Sequence, residues 1–356
     1  MKLVLPRWQP FRVTEIVRSI PEKMNNDEIQ SHVDKMVCIR QANIEQYSYH
    51  FDKPLPPFFR SQMHYAQRHV YFMKDVYVNP RTGSCYAKQW AFQESYGSLR
   101  RWLIEVPATK EWGELVIDRP ATCINCTGFA HFLMEELPRL LWAIETAGKD
   151  IQILLPNRGI PKFIDGIIAE LISERKMEKE PLRITRNVVV LKHFIFTQAE
   201  AYSGFWHHED ISILRSTFLK TKTKESPERM VYISRRNSTR AFDNEKKLEE
   251  SLADIGFECV QLENLSFREQ RSLFSGASII VGNHGAGLAN LVWCTQGTQV
   301  IEIFSPRWFN DCFARLTSQV RCKYYPIWAM ASNSWGVVDT DLLIDMIGKA
   351  ITEPHI

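Results

Sequence analysis

Apolar runs of four or five residues alternate with stretches of helical periodicity through the second half of the chain. The runs predict strands at 230–234, 257–260, 277–281, 300–304 and 323–327, and the periodic stretches predict helices at 245–254, 267–274, 309–317 and 341–351. Strands that alternate with helices form parallel sheets with both faces covered. We therefore expect a doubly wound α/β domain in this half.

The first half of the chain changes character along its length. Residues 1–75 show no regular period and contain a proline-rich breaker at 54–59, so an irregular or partly helical extension is expected. Short alternating runs on either side of a turn at 79–83 predict a hairpin or meander. Further on, helices are predicted at 130–146 and 161–172, and strands at 151–155, 188–191 and 194–196. This alternation again indicates βα units.

These patterns divide the 356 residues into segments, in keeping with the roughly 100–200 residues of a typical domain. A charged run at 220–228 is suited to a linker. The predicted segments are an extension at 1–75, an α/β lobe with a meander at 76–222, a second α/β lobe at 229–340 and a closing helix at 341–356. A return of the closing helix to the first lobe stays open.

A glycine-rich turn follows the predicted strand at 277–281. It reads Gly282-Asn283-His284-Gly285-Ala286-Gly287-Leu288-Ala289-Asn290. A strand, a glycine turn and a helix start together direct backbone N–H groups at an anion, here the diphosphate of a nucleotide-linked substrate. The alternative is a tight turn that needs glycine for backbone reasons alone. Spacing alone leaves the two interpretations level.

Charged side chains are expected beside this turn. Arg235, Arg236 and Arg240 follow the first strand of the second lobe, and arginine forks suit bidentate binding of phosphate. Because ligands of doubly wound sheets bind at the carboxyl ends of the strands, a phosphate site is favoured over a solvated loop. Glu302 stands inside an apolar strand, either as an acceptor for ribose hydroxyls or as a paired structural carboxylate.

Two candidate catalytic residues lie in the first lobe. His131 and Glu135 are four residues apart in the helix predicted at 130–146, which places them on one face. A histidine and a carboxylate so placed serve as a general base and its orienting partner; the alternative is a solvated helix face.

Two groups of motifs resemble glycosyltransferase family 61. In the second lobe they are Tyr232-Ile233-Ser234-Arg235-Arg236, Arg240, Asn244-Glu245, Gly256-Phe257-Glu258, Leu265-Ser266-Phe267 with Glu269-Gln270, His284-Gly285-Ala286-Gly287-Leu288 with Asn290, and Glu302. In the first lobe, His131-Phe132 with Glu135 and Leu137-Pro138-Arg139 is similar to the family's His-Trp-x-x-Glu-x-Leu-Pro-Arg, with Phe132 in place of Trp. The resemblance covers roughly residues 70–330.

The resemblance implies a GT-B fold, in which two Rossmann-like lobes enclose a cleft. It also implies an inverting transfer from a nucleotide sugar, with UDP as the expected nucleotide, to a glycan or other hydroxyl acceptor in polysaccharide or glycoconjugate synthesis. The expected donor-binding residues are Ser234, Arg235, Arg240, Asn283, His284, Gly285, Ala286, Gly287, Leu288, Asn290 and Glu302. Glu135 is the expected catalytic base, oriented or replaced by His131. A non-catalytic nucleotide- or glycan-binding protein on the same scaffold is the alternative.

No cofactor and no metal are expected, because the family transfers sugars without a metal held by an Asp-x-Asp motif. Asp339-Thr340-Asp341 has that form, but it precedes a predicted helix, where aspartates are ordinary N-caps. An α/β-hydrolase, in which His-Gly-Ala-Gly would be an oxyanion loop, also needs a Gly-x-Ser-x-Gly turn, and the chain contains none.

Composition restricts the expected binding partners and cellular location of the protein. A net charge of +3 without a dense Lys/Arg stripe argues against nucleic acid as a partner. No stretch reaches the ~18–20 apolar residues of a membrane span, and the N-terminus lacks a signal peptide, so a cytoplasmic protein is expected. Peripheral membrane contact stays open. The eight cysteines are expected to be reduced, including the lone Cys123-x-x-Cys126 pair.

Overall fold

The computed structural model describes most of the chain from residue 32 onward. The described ranges are 32–48, 59–80, 83, 85–87, 90–91, 115–125, 128–185, 188–200, 203–219 and 228–352. Cys126 and nearly all of the run predicted as a linker lie outside them. No helix within these ranges is both long enough and apolar enough to cross a membrane.

The described residues form an α/β fold built on three sheets. The strands are β1 (Val33–Arg40), β2 (Asn43–Gln46), β3 (Gln62–Tyr65), β4 (Arg68–Met73), β5 (Val76–Val78), β6 (Cys85–Ala87), β7 (Trp90–Ala91), β8 (Val116–Cys123), β9 (Gln152–Pro156), β10 (Leu182–Ile184), β11 (Val189–Thr197), β12 (Arg229–Ile233), β13 (Glu258–Val260), β14 (Ala277–Asn283), β15 (Gln299–Phe304) and β16 (Lys323–Trp328).

Helices connect most of the parallel strands. They are α1 (Phe129–His131), a π-helical turn (Phe132–Glu136), α2 (Leu137–Ala147), α3 (Lys162–Ser173), α4 (His208–Phe218), α5 (Glu245–Asp254), α6 (Phe267–Ser275), α7 (Cys312–Gln319) and α8 (Thr340–Thr352), with 3-10 helices at Leu262–Asn264 and Ala286–Trp293. The predicted elements of the second half are confirmed to within a few residues.

The five-stranded sheet is fully parallel, in the order β13-β12-β14-β15-β16. β14 and β15 are almost entirely buried because helices cover both faces. The chain leaves β12 for β13 on one side and returns to β14 on the other, so the ends of β12 and β14 flank a topological switch point. Arg235 and the glycine turn follow these two ends.

The nine-stranded sheet is mixed. β10, β9, β8 and β11 run parallel, whereas β11 pairs antiparallel with β4 and β5. The predicted hairpin is confirmed as β5 and β6. β11 is one strand where two were predicted, because the exposed residues Lys192 and His193 lie at a shift in register and interrupt the apolar pattern.

The prediction of an irregular extension is wrong for much of residues 33–73. This stretch holds four strands, of which β1 and β4 belong to the nine-stranded sheet. β4 pairs with β11, more than a hundred positions further along the chain. Pairing at that sequence separation is set by tertiary contacts, which a local pattern does not contain.

The closing helix α8 packs on the second lobe. Leu343, Ile347 and Ala350 lie in one buried cluster with Tyr232 and Ile301 of the five-stranded sheet. On the opposite face of that sheet, a larger cluster contains residues of both halves of the chain.

Three aromatic rings mark the junction between the halves. Phe218 at the end of α4 lies edge-on to Phe267 and Trp293, with ring centroids 5.2 Å and 5.9 Å away. Beside them, Arg271 of α6 forms an ion pair with Glu170 of α3 at 2.5 Å. The two sheets are therefore joined by a dry apolar contact together with a partly shielded charge pair.

Phe218→Ala is expected to lower the free energy of unfolding by about 3–5 kcal/mol, because it leaves a cavity between the two halves. Denaturation followed by circular dichroism and fluorescence measures this change. The control Phe309→Ala removes a ring that is 50% exposed and should change stability by less than about 0.5 kcal/mol. Equal stability of Phe218→Ala and the wild type would contradict a shared core.

Candidate donor and acceptor sites

The glycine turn joins β14 to a 3-10 helix rather than to the start of an α-helix. His284 and Gly285 link the end of β14 to the helix Ala286–Trp293. The amide of Leu288 donates to the carbonyl of Gly285 at 2.9 Å, so it is already used. The amides of Ala286 and Gly287 make no hydrogen bond to any residue in the described ranges. The amides of Ala286 and Gly287 are therefore available to bind an anion.

The guanidinium of Arg235 lies directly against Gly285. A Cβ atom at Gly285 would be 2.1 Å from Nη1 and 3.0 Å from Cζ of Arg235. Nη1 also donates to the carbonyl of His284 at 3.2 Å. The backbone of Gly285 is extended, with φ of 165°, so no backbone strain is involved. Glycine is required here because the arginine approaches so closely.

Two arginines at this edge lack an ion pair among the described residues. Arg236 forms an ion pair with Glu249, but neither Arg235 nor Arg240 has such a partner among the described side chains. Burial lowers the pKa of Arg235 and the nearby charge of Arg240 lowers it further, whereas Glu245 and Glu263 act in the opposite direction. Two neighbouring cations, one of them half-buried, next to unpaired amides are a candidate site for an anion.

A buried carboxylate fixes the histidine of the turn. Glu302 is fully buried; its Oε1 lies 2.5 Å from Nδ1 of His284, and its Oε2 accepts a hydrogen bond from the Tyr324 hydroxyl at 2.6 Å. With Nδ1 engaged, Nε2 is the ring nitrogen left for a ligand. Of the two predicted roles of Glu302, this geometry supports the structural one, because full burial keeps a ribose away.

Two further predicted donor-site residues make bonds within the second lobe. The hydroxyl of Ser234 donates to Glu249. The fully buried Asn290 donates from its amide to Gln270 at 2.8 Å and to the carbonyl of Gly287 at 3.2 Å. Both side chains thus hold the loops that carry the cations and the free amides. Direct contact with a ligand stays a prediction for both.

A pocket opens between the glycine turn and the loops that follow β15 and β16. Asn283, His284 and Arg240 line it together with Trp308 and Trp335. The Arg240 guanidinium lies 5.4 Å from the ring centroid of Trp335. The two tryptophans were not predicted as site residues. They follow carboxyl ends of strands, so the positional rule that selected Arg235 also selects them.

The predicted pair in the first lobe is in contact. Nδ1 of His131 lies 3.1 Å from Oε1 of Glu135, which also accepts hydrogen bonds from the Ser203 hydroxyl at 2.8 Å and the Gly204 amide at 3.0 Å. Burial opposes ionisation of Glu135, but the bonds from His131, Ser203 and Gly204 outweigh it and hold the pKa below its ordinary value of 4.5. Ser203 is a partner that the sequence did not reveal.

A π-helical turn carries Glu135. The helix that begins at α1 widens at Phe132–Glu136 and returns to α-helix in α2. Such single-turn insertions are frequent at functional sites. The neighbouring Glu136 is turned into the protein, where it pairs with Arg139 at 2.9 Å and accepts from the Asn125 amide at 3.1 Å. The two adjacent glutamates therefore differ: Glu135 lies at the candidate site, whereas Glu136 stabilises the interior of the lobe.

The fold brings the two candidate sites into one region. α1, which ends at His131, packs against the 3-10 helix Ala286–Trp293. The carbonyl of Gly204, whose amide holds Glu135, accepts a hydrogen bond from Arg315 of α7 at 2.9 Å. Phe313 of the same helix lies 5.2 Å from the ring of His284, centroid to centroid. A short chain of contacts thus links Glu135 to the donor side.

One cluster of metal-ligating side chains lies away from these residues. Glu45, His207 and His208 bring their ligand atoms within 4.8 Å of one another. Glu45 accepts hydrogen bonds from the amide of His208 and from Gln319, and Nδ1 of His207 accepts from the Glu209 amide. Burial lowers the pKa of His207 to about 2. These bonds form a cap at the start of α4.

Asp339 is also a cap. Its Oδ1 accepts a hydrogen bond from the Leu342 amide at 3.1 Å, one turn into α8. The predicted N-cap role is confirmed, and this carboxylate is occupied at the helix start.

Comparison with known proteins adds to this geometry. Residues 129–301, which include His131, Glu135, Arg235 and the glycine turn, match the sequence model described as Glycosyltransferase 61. This region of the chain belongs to glycosyltransferase family 61. It is also similar to the beta-1,2-xylosyltransferase RCN11 of Oryza sativa subsp. japonica, with 34% identity over 64 residues. That stretch is 18% of this chain and spans 12% of the length of the rice protein.

One residue of the family 61 motif has a structural role in this chain. Arg139 donates from Nε to the carbonyl of Thr197 at 2.8 Å and lies over the ring of Phe196, while its Nη1 holds Glu136. It therefore ties α2 to β11. The motif combines the candidate catalytic pair, His131 and Glu135, with the arginine that fixes the helix bearing this pair.

Glu302→Leu is expected to destabilise the protein, at about 1–3 kcal/mol for each buried hydrogen bond lost, those with His284 and Tyr324. Denaturant titration measures this loss. The double variant Glu302→Leu/Tyr324→Phe should recover part of it, because the hydroxyl that bonds Glu302 is then removed as well. Strict additivity of the two substitutions would contradict the described bond.

Proposed function

We propose that the protein is an inverting, metal-independent glycosyltransferase that uses a nucleotide sugar, UDP-linked, as its donor. The observation that carries the proposal is the pair of guanidiniums without an ion pair among the described residues, Arg235 and Arg240, beside the free amides of the glycine turn at a switch point of a parallel sheet. The match of residues 129–301 to family 61 supports the reaction class. The two lobes would correspond to those of a GT-B enzyme, with the donor on the second.

The diphosphate would lie between the two arginines and the amides of Ala286 and Gly287. Charged donors bind phosphate oxygens most strongly when they are already in place, because no reorganisation is needed as negative charge develops. Arg235 is held by Gly285 and by the carbonyl of His284. His284, oriented by Glu302, would direct Nε2 at a phosphate or at the sugar.

The reaction would be one in-line displacement at the anomeric carbon. The acceptor hydroxyl oxygen forms a bond to that carbon, and the bond from the carbon to the diphosphate oxygen breaks. The acceptor proton passes to Glu135, oriented by His131 and Ser203. The charge on the departing UDP is met by the arginines and amides, which is the task a metal ion performs in other transferases.

The acceptor would be a glycan or another hydroxyl compound bound by the first lobe, near Glu135. The rice relative is named as a beta-1,2-xylosyltransferase. We therefore include UDP-xylose with UDP-hexoses in a donor panel read by thermal shift, since a ligand that binds only the folded state raises its melting temperature.

A non-catalytic nucleotide- or glycan-binding protein on the same scaffold is the alternative. It shares the anion site with the proposed enzyme, but it requires no base on the facing lobe. The bonded group of Glu135, His131 and Ser203 favours the enzyme. Release of UDP from a UDP-sugar, with or without transfer, distinguishes the two.

Arg235→Ala is expected to weaken UDP binding about tenfold or more, because a charge-assisted bidentate contact to phosphate is lost. Gly285→Ala should weaken it as well, because the new Cβ displaces the guanidinium while its charge is kept. Isothermal titration calorimetry measures both affinities. Arg268→Ala, on the exposed side of α6, is the control and should bind as the wild type. Undiminished affinity of Arg235→Ala would remove the donor-site assignment.

Glu135→Gln is expected to lower turnover about 10²–10⁴-fold with UDP affinity unchanged, because the base is lost while the donor site is intact. Its pKa below 4.5 also places the acid limb of kcat/KM below pH 4.5, since the carboxylate stays ionised down to that range. Glu145→Gln, exposed on α2, is the matched control. Full turnover of Glu135→Gln, or a limb near the histidine value of about 6.5, would assign the base elsewhere.

A further inference from the structure

The loop that holds Glu135 is itself held by a helix of the second lobe. Ser203 and Gly204 donate hydrogen bonds to Oε1 of Glu135 at 2.8 Å and 3.0 Å. The carbonyl of the same Gly204 accepts a hydrogen bond from Nη2 of Arg315, on α7, at 2.9 Å. Gly204 is therefore bonded to the candidate base through its amide and to the second lobe through its carbonyl.

Arg315 is buried, and much of its guanidinium is not satisfied. The residue is 4% exposed, its Nη2 lies 3.3 Å from Oδ1 of Asp311, and its Nε and Nη1 make no hydrogen bond within the described residues. Buried N–H groups without a partner lower the stability of the folded protein. Because an apolar side chain of similar length would avoid that loss, stability alone does not account for an arginine here. The bond from Nη2 to Gly204 does.

The residue that follows Gly204 contacts two guanidiniums. Cζ of Arg315 lies 4.3 Å from the ring centroid of Phe205, and Cζ of Arg60 lies 4.7 Å from it. The amide of Arg60 donates to Oδ2 of Asp311 at 3.0 Å, so the segment that precedes β3 is also joined to the start of α7. These cation–π contacts and hydrogen bonds fix loop 203–205 against α7.

The helix α7 also contacts the donor side. Phe313 lies two positions before Arg315, and its ring centroid is 5.2 Å from that of His284 in the glycine turn. One helix therefore touches the turn proposed for the donor and, through Arg315, the loop proposed to hold the base. Transfer requires the reacting atoms to approach within about 3–3.5 Å, so a displacement of about 1 Å can lower turnover about 100-fold.

We infer that Arg315 is a positioning residue for the transfer, which holds loop 203–205 against α7 and thereby fixes Glu135 relative to the donor. The inference rests on the proposed function, in which Glu135 is the base. Arg315 does not bond Glu135 directly and acts through Gly204. A substitution of Arg315 should therefore change turnover and the titration of Glu135, whereas affinity for the donor stays the same.

Arg315→Met removes the group that donates to Gly204 and keeps a side chain of similar length. We expect kcat to fall about tenfold or more, read as release of UDP from UDP-xylose or from the UDP-hexose that binds best, because the base is displaced. Affinity for UDP, measured by calorimetry, should equal that of the wild type.

The pH profile of Arg315→Met provides a second readout. Burial raises the pKa of Glu135, and the bonds from His131, Ser203 and Gly204 outweigh this effect in the wild type. Release of the loop weakens the last two bonds, so the pKa rises and the base is protonated at a higher pH. The acid limb of kcat/KM should therefore move to higher pH.

Two further variants separate positioning from stability. Arg315→Lys keeps the charge and a donor group, and it should recover part of the turnover lost in Arg315→Met. Arg271→Met removes another buried arginine, which pairs with Glu170 at the junction of the lobes. This control should lower the melting temperature and leave the acid limb where it is in the wild type.

A double variant tests whether Arg315 acts through Glu135. We expect Glu135→Gln/Arg315→Met to lose no more turnover than Glu135→Gln, because the base is already absent. Fully additive losses would overturn the positioning role. An unmoved acid limb in Arg315→Met would overturn it as well, and so would an equal shift of the limb in Arg271→Met.

The outcomes also separate this inference from the proposed function. If Arg315→Met does not fold, Arg315→Lys carries the test: a lower kcat with the acid limb at higher pH supports the inference, and wild-type values overturn it. In these cases the donor site and the base stand. Full turnover of Glu135→Gln would instead overturn the proposed base, and the role of Arg315 with it.

Discussion

A carboxylate closed off from water in the middle of a parallel sheet fixes the geometry of the donor side. Glu302 lies on β15, and the free-energy cost of burying its carboxylate is offset by hydrogen bonds with two side chains. One is His284 of the glycine turn and the other is Tyr324 of β16. One side chain thus joins three neighbouring segments of the second lobe. The turn begins at His284, so its orientation, and with it that of Gly285, follows from this link.

From that fixed turn the charge arrangement follows. Gly285 leaves room for the Arg235 guanidinium, which forms no ion pair with a carboxylate of the described residues but donates to the carbonyl of His284. Arg236, one position further, shows the contrast, because it pairs with Glu249. Burial disfavours the charged form of Arg235, and an anion that binds beside it would favour that form. A phosphate bound at this position would therefore stabilise the charged form of Arg235.

Much of this organisation is readable in the sequence, and the residues show why. The apolar runs of the second lobe are continuous because parallel strands are buried on both faces, so their ends, and the residues that follow them, could be located. The helical spacing of His131 and Glu135 likewise predicted their contact. Apolar runs and helical spacing are local patterns, and local patterns can be recognised in a single sequence.

Other features depend on contacts between distant segments. β4 pairs with β11, and Ser203 reaches Glu135 across 68 positions, so neither is visible in a window of neighbouring residues. The two possible roles of Glu302 could be separated only by its burial, and the requirement for glycine at 285 only by the approach of Arg235. Periodicity describes which face a residue lies on, but not which side chain it meets there.

The apolar contact between the two halves bears on how the protein moves. Interfaces that are large and hydrophobic resist relative rotation of the parts they join, whereas small polar ones permit it. With Phe218, Phe267 and Trp293 packed at the junction and Glu170 paired to Arg271, opening by a hinge would expose a dry core. The packing at this junction therefore favours a single relative orientation of the two lobes.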